Sequence, residues 1–100
     1  MNYYNDALQW ANDLGDSGGA VAMRMALLGL YNFYWRYPIG EALTKLDYQG
    51  KELLLQCLRE YAHGGETEEL RQVGRAIYRS GEFDGWKKLL DLQNEIKSDW

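Results

Sequence analysis

Between Ala20 and Trp35 the chain reads AVAMRMALLGLYNFYW, 16 residues of which only Arg24, Gly29 and Asn32 are neither apolar nor aromatic. At about 3.6 residues per turn, such a run presents apolar side chains on nearly every side of a helical cylinder. A helix that is hydrophobic all round has to be enclosed by other helices or by a partner. Its limits fall near residues 18–36: Asp16 or Ser17 stands where an N-cap is wanted, and Pro38 forces Tyr37 out of helical geometry. The stretch from Gly18 to Trp35 is 18 residues long, short of the roughly 20 that span a bilayer, and Arg24 and Asn32 interrupt it. It reads as a buried central helix.

Glycines and cap residues divide the rest of the chain. A first helix is expected over Asn2–Leu14, with Tyr4, Ala7, Ala11 and Leu14 on one face and Gly15 as a left-handed stop. A short helix over Ile39–Leu46 places Ile39, Leu43 and Leu46 together. Asp47 then caps a helix from Tyr48 to Ala62 whose inner stripe is Leu54, Leu58 and Tyr61. Gly50 is the only strong breaker there, so a single fused helix over Ile39–Ala62 is the alternative. Gly64-Gly65 forms a loop, and Thr67 caps a helix that starts with Glu68 and Glu69 at its positive end and turns Leu70, Val73 and Ile77 inward. Ser80-Gly81 closes it, and Asp84 caps a last helix anchored by Trp86, Leu89 and Ile96. No run alternates apolar and polar residues for long, so strands are not expected. The fold predicted is all-α: one domain over 1–100, a compact bundle of five or six helices built from αα-hairpins around the central apolar helix. A chain of 100 residues buries roughly 60–65% of its unfolded surface without disulfides or metals. A faint repeat also runs through it, with Gly15, Gly50 and Gly85 equally spaced and the last two ending Asp47-Tyr48-Gln49-Gly50 and Glu82-Phe83-Asp84-Gly85.

The formal charge of −4 argues against non-specific binding to nucleic acid or to an anionic membrane, since polyanions repel an acidic surface. Cys57 is the single cysteine, and MNYYNDALQW contains no basic region followed by an apolar core. A cytoplasmic protein without disulfides is the expectation. Enzyme chemistry finds no constellation. Cys57 and His63 have no Asp, Asn or second Cys to complete a nucleophile and its base or the three or four ligands that zinc takes. Cys57 reads instead as a small buried hydrophobe, and His63 as a helix C-terminal cation. The acid pairs Glu68/Glu69 and Glu41/Asp47 sit at helix starts, where carboxylates are exposed, whereas acid–base work needs burial to split their pKa values. Gly15, Gly18 and Gly19 lack the Lys-Ser/Thr of a phosphate loop. No catalytic residue, cofactor or metal is expected.

Two surfaces remain as contact sites. Tyr31, Phe33, Tyr34, Trp35 and Tyr37 crowd the end of the central helix, and successive helical residues step by about 100°, so they cannot all point inward. Tyr31 and Tyr34 are expected in the core; Phe33, Trp35 and Tyr37, with Arg36 beside them, supply the residue types that dominate binding hot spots. Arg71, Arg75 and Arg79 recur every four residues and form one ridge, able to grip carboxylates or phosphates through their planar forks. The bland alternative is a solvated face on which Glu68 and Glu82 pair with the ridge's ends.

The stretch LRQVGRAIYRSGEFDGWKKLL resembles a tetratricopeptide helical hairpin through Leu70, Val73, Gly74, Ala76, Tyr78, Gly81, Phe83 and Asp84, with Trp86 where that family carries a small residue. Over residues 70–92 the resemblance implies two helices joined by a tight glycine turn, and a scaffold that binds peptides or proteins. The function expected is therefore a non-enzymatic interaction module: an adaptor or inhibitor that binds a larger protein, by analogy with the anti-restriction and anti-CRISPR-like proteins of phages and mobile elements. A homodimer is a further candidate, because a second copy could supply missing cover for the central helix. The runner-up is a helical DNA-binding regulator using the arginine ridge, which the acidic balance disfavours.

Overall fold

The computed structural model describes residues 2–15, 17–31 and 38–79. Five helices follow one another: α1 (Tyr3–Asp13), α2 (Gly18–Tyr31), α3 (Ile39–Lys45), α4 (Tyr48–Gly64) and α5 (Glu68–Arg79). All regular structure among the described residues is helical, and the Cα radius of gyration of 13.1 Å is that of a compact chain of this length, about 13 Å.

The helix limits follow from local hydrogen bonding. Asn2 Oδ1 accepts from the Asn5 amide at 3.1 Å, Ser17 Oγ from Ala20 at 3.2 Å, Asp47 Oδ1 from Gly50 at 2.8 Å and Thr67 Oγ1 from Leu70 at 3.3 Å. Each satisfies one of the amides that a helix start leaves orphaned. Of the two caps expected for α2, Ser17 is seen in that role; Asp16 lies outside the described residues. Gly15 and Gly65, both at φ +65°, terminate α1 and α4 in the left-handed region that glycine enters freely. Between α3 and α4, Leu46 is extended (φ −93°, ψ 143°). The fused helix is thereby excluded, and α4 continues through Gly64.

α2 packs against all four other helices, and from Ala22 to Leu28 every residue is buried. Each neighbour contributes a narrow stripe: Tyr4, Ala7 and Ala11 from α1, Ala42 from α3, Leu54 and Cys57 from α4, and Leu70, Val73 and Ile77 from α5. Leu14, expected on the inner face of α1, is 45% exposed. It lies past the end of the helix, where the chain has already begun to turn. Leu58 and Tyr61 are only partly buried, and Cys57 takes the deeper position on α4.

Arg24 is a buried cation, 6% exposed. Its guanidinium donates to the Gly15 carbonyl at 2.8 Å, the Ala11 carbonyl at 3.2 Å and Asn12 Oδ1 at 3.4 Å. The last carbonyls of a helix lack intrahelical partners, so a side chain from α2 closes the end of α1. Burial of the charge is tolerable because its donors are used.

Gly50 does not break a helix. It lies in the first turn of α4 and makes room for Trp10: a Cβ there would approach the indole ring to 2.7 Å. Gly19, at the start of α2, borders the same ring, with an added Cβ 3.6 Å from it. The equal spacing of Gly15 and Gly50 therefore has no common structural cause, one being a helix stop and the other a ring seat. Gly85, the final hairpin turn and the last expected helix lie outside the described residues.

Candidate partner-binding surface

Capped by Thr67, α5 presents a sharply divided cylinder. Leu70, Val73, Gly74 and Ile77 are buried against the bundle, which leaves Arg75, Tyr78 and Arg79 on the outside. The ridge expected from the four-residue spacing is real, but its members differ. Arg71 Nη1 lies 3.1 Å from Glu68 Oε2 and its Nε lies 3.8 Å from Glu66 Oε1. Arg75 Nη1 is 3.7 Å from the other oxygen of Glu68. One carboxylate is thus shared by two guanidiniums, in pairs exposed enough to be worth only about 0–1 kcal/mol each. Arg79 makes no ion pair or hydrogen bond among the described residues. The pairing of Arg71 with Glu68 follows the i,i+3 expectation; Glu82 lies outside the described residues.

Arg75 and Arg79 border an open cleft of about 350 Å³ whose other walls are Tyr31 and Tyr78. Tyr31 closes the described part of α2 and rests directly on α5. A Cβ built on Gly74 would overlap the Tyr31 ring, so only glycine lets the ring lie this close. Tyr31 was expected in the core and is only partly buried, one side of it being left to the cleft. Tyr78 is 44% exposed. Its place beside the arginines was readable, since it lies three residues after Arg75 and so shares its side of the helix. The role of Gly74 as a ring seat was not readable, because it depends on a residue from another helix. Phe33, Tyr34, Trp35, Arg36 and Tyr37 lie outside the described residues.

None of the remaining candidates lines this cleft. Cys57 is fully buried, its thiol 3.4 Å from the Tyr3 carbonyl. Burial first, then the nearby Asp6 and Glu60 carboxylates, pushes it up to about 12. It is a protonated thiol at neutral pH and no nucleophile. His63 is exposed in the last turn of α4, while Cys57 faces inward from the same helix. Glu41 pairs with Lys45 at 3.4 Å and Asp47 is a helix cap. Among the described residues no three His, Cys, Asp or Glu side chains cluster as a metal site, and no helix is long and apolar enough to cross a membrane.

No family model, curated protein or solved structure matches the chain. The surface itself carries the functional reading.

Proposed function

We propose that the chain is a non-enzymatic interaction module, a small adaptor or inhibitor that captures a larger protein over the α2–α5 face. The observation that supports this most is the cleft at Tyr31, Arg75, Tyr78 and Arg79. Two guanidiniums, one without an ion pair among the described residues and one only loosely held at 3.7 Å, stand beside two tyrosines. Arg and Tyr are enriched where partners bind tightly, and a planar guanidinium fork fits a carboxylate. An acidic segment of a partner protein is the matching occupant. In the chain, Tyr31 directly precedes the run holding Phe33, Trp35, Arg36 and Tyr37, so this reading joins the aromatic patch and the arginine ridge into one surface. It also takes the bundle to be completed around α2 by a sixth helix after Ser80.

A DNA-binding regulator is the weaker reading. Arg71 and Arg75 already meet Glu66 and Glu68, and a protein of net charge −4 must overcome general repulsion from phosphates.

Site-directed photocrosslinking separates these readings. A photoreactive residue at position 78 should capture a discrete partner protein in the native host. The same group at position 48, where Tyr48 is 79% exposed on α4, should not. The position-78 adduct should vanish in Arg79→Glu. Equal capture from both positions, or an adduct indifferent to Arg79→Glu, would overturn the proposal. A dimeric adduct of the chain with itself would assign the face to self-association.

A further inference from the structure

Glu60 and Glu69 are exposed carboxylates with no ion pair among the described residues, whereas Glu41, Glu66 and Glu68 each meet a Lys or Arg. Both line a second cleft, about 280 Å³ in volume, where the start of α1, the last turns of α4 and the start of α5 converge. Asn2, Tyr3, Tyr4 and Thr67 complete its wall. Tyr4 is 3% exposed, and its hydroxyl is the one buried side-chain polar atom without a hydrogen-bond partner among the described residues. A buried hydroxyl left unsatisfied costs stability, so its retention beside two carboxylates that have no ion pair among the described residues needs a reason.

The charge balance indicates what fits. Two carboxylates line the cleft and Asp6 stands in the first turn of α1, so the balance stays negative even after the N-termini of α1 and α5 each return about +0.5 through their dipoles. We infer that the cleft between α1, α4 and α5 binds a primary alkylammonium group, held by the Glu60 and Glu69 carboxylates and the Tyr4 phenolic oxygen.

Three acceptors match the three N–H donors of an ammonium. A guanidinium spreads its five donors over one plane, whereas an ammonium turns three donors outward from a single point, and calcium takes about six to eight oxygens, more than this cleft supplies. Tyr4 stays protonated, its hydroxyl pushed up to about 12 by burial and then by Cys57, Glu60, Tyr61 and Glu69 around it. It can therefore give its own proton to a glutamate while accepting from the ammonium through a lone pair. Both glutamates are exposed while the hydroxyl is closed off from water, so the ammonium reaches it only as the side chains at the mouth of the cleft move aside. At roughly 30 Å³ per water, the cleft has room for the ammonium and the methylenes behind it. Such a group comes either from a free alkylamine or from a lysine of a partner protein.

The test titrates the full chain, labelled with ¹⁵N, at low salt with n-butylammonium, n-butylguanidinium, 1-butanol and a short lysine peptide. Amide shifts of Tyr4, Glu60, Thr67 and Glu69 are followed. Butylammonium should saturate the shifts and butanol should leave them unmoved. Glu60→Gln and Glu69→Gln, both on exposed sites, should each weaken binding by about tenfold, as the loss of a charge-assisted contact does. Tyr4→Phe, which keeps the ring, should weaken it by about threefold or more. A lysine peptide that binds more tightly than butylammonium assigns the group to a partner protein, and the reverse order assigns it to a free amine. Butylguanidinium binding as well as butylammonium, an affinity unchanged in Tyr4→Phe, or no saturation by any ligand would overturn the assignment.

Discussion

α2 and α5 are neighbours built on opposite plans. In α2 residues 22–28 are all buried, so the sequence declares enclosure but says nothing about which neighbour covers which side. In α5 every buried residue lies on one face, so its outer face is free to carry arginine and tyrosine. A uniformly apolar helix organises a bundle and offers no surface, whereas a divided helix gives up half its circumference to the core and keeps the other half for recognition. The two helices meet at Tyr31 on Gly74, where the core and the candidate surface join.

The sharpest way to break this contrast is Leu27→Asp. A carboxylate at a fully buried position should cost more than about 4 kcal/mol, enough to exhaust the margin of a small domain. Cooperative thermal unfolding by circular dichroism should disappear; a melt like the parent's would remove α2 from the core. Next comes Arg24→Met, which takes the side-chain donor from the Gly15 carbonyl and leaves the Ala11 carbonyl only the Leu14 amide, and should cost about 1–3 kcal/mol by chemical denaturation. Gly74→Ala forces Tyr31 off α5 and should cost about 1–3 kcal/mol through overpacking. It should also weaken partner binding, because the same ring lines the cleft.

A smaller effect concerns alkaline stability. The Cys57 thiol is raised from 9.0 to about 12 and the Tyr4 hydroxyl from 10.0 to about 12. In each the folded state holds its proton more tightly than the unfolded chain. The stability this supplies is complete below about pH 9 and is lost as the pH climbs towards 12. Cys57→Ala should flatten that decline, as read from denaturation midpoints at pH 8 and pH 11. The least change is expected from Arg75→Ala, within about 0.5 kcal/mol, as exposed pairs allow. Under the interaction reading, Arg75→Ala should lower partner affinity in a salt-dependent way and Trp35→Ala should lower it more. If Arg75→Ala alone abolishes binding, the ridge is the site and the aromatic patch is not.

Much of the architecture was legible because it is written locally. Ser17, Asp47 and Thr67 stand where helices start, Gly15 where one stops, and Leu70, Val73 and Ile77 keep the spacing of one face. The structure diverges from those expectations wherever a residue answers to a distant one. Gly50 looks like a breaker until Trp10 from another helix fills its place, and Arg24 looks like an interruption of an apolar run until its guanidinium reaches the end of α1. Tyr31 is assigned to the core by composition, yet the absent side chain at Gly74 decides how it lies. Periodicity encodes which side of a helix is buried; it does not encode which partner arrives there. For the same reason Arg71, Arg75 and Arg79 could be placed on a ridge, while the cleft beside them, which needs Tyr31 from α2 as a wall, could not be foreseen.

The enclosure of α2 also sets how its backbone meets solvent protons over time. Amides near the ends of α1 and α5 can exchange with deuterium through local fraying, because water already reaches those turns. Between Ala22 and Leu28 there is no outward side from which to peel the helix away. Those amides should exchange only when the whole chain opens, and their protection factors should converge on a single value equal to the global free energy of unfolding.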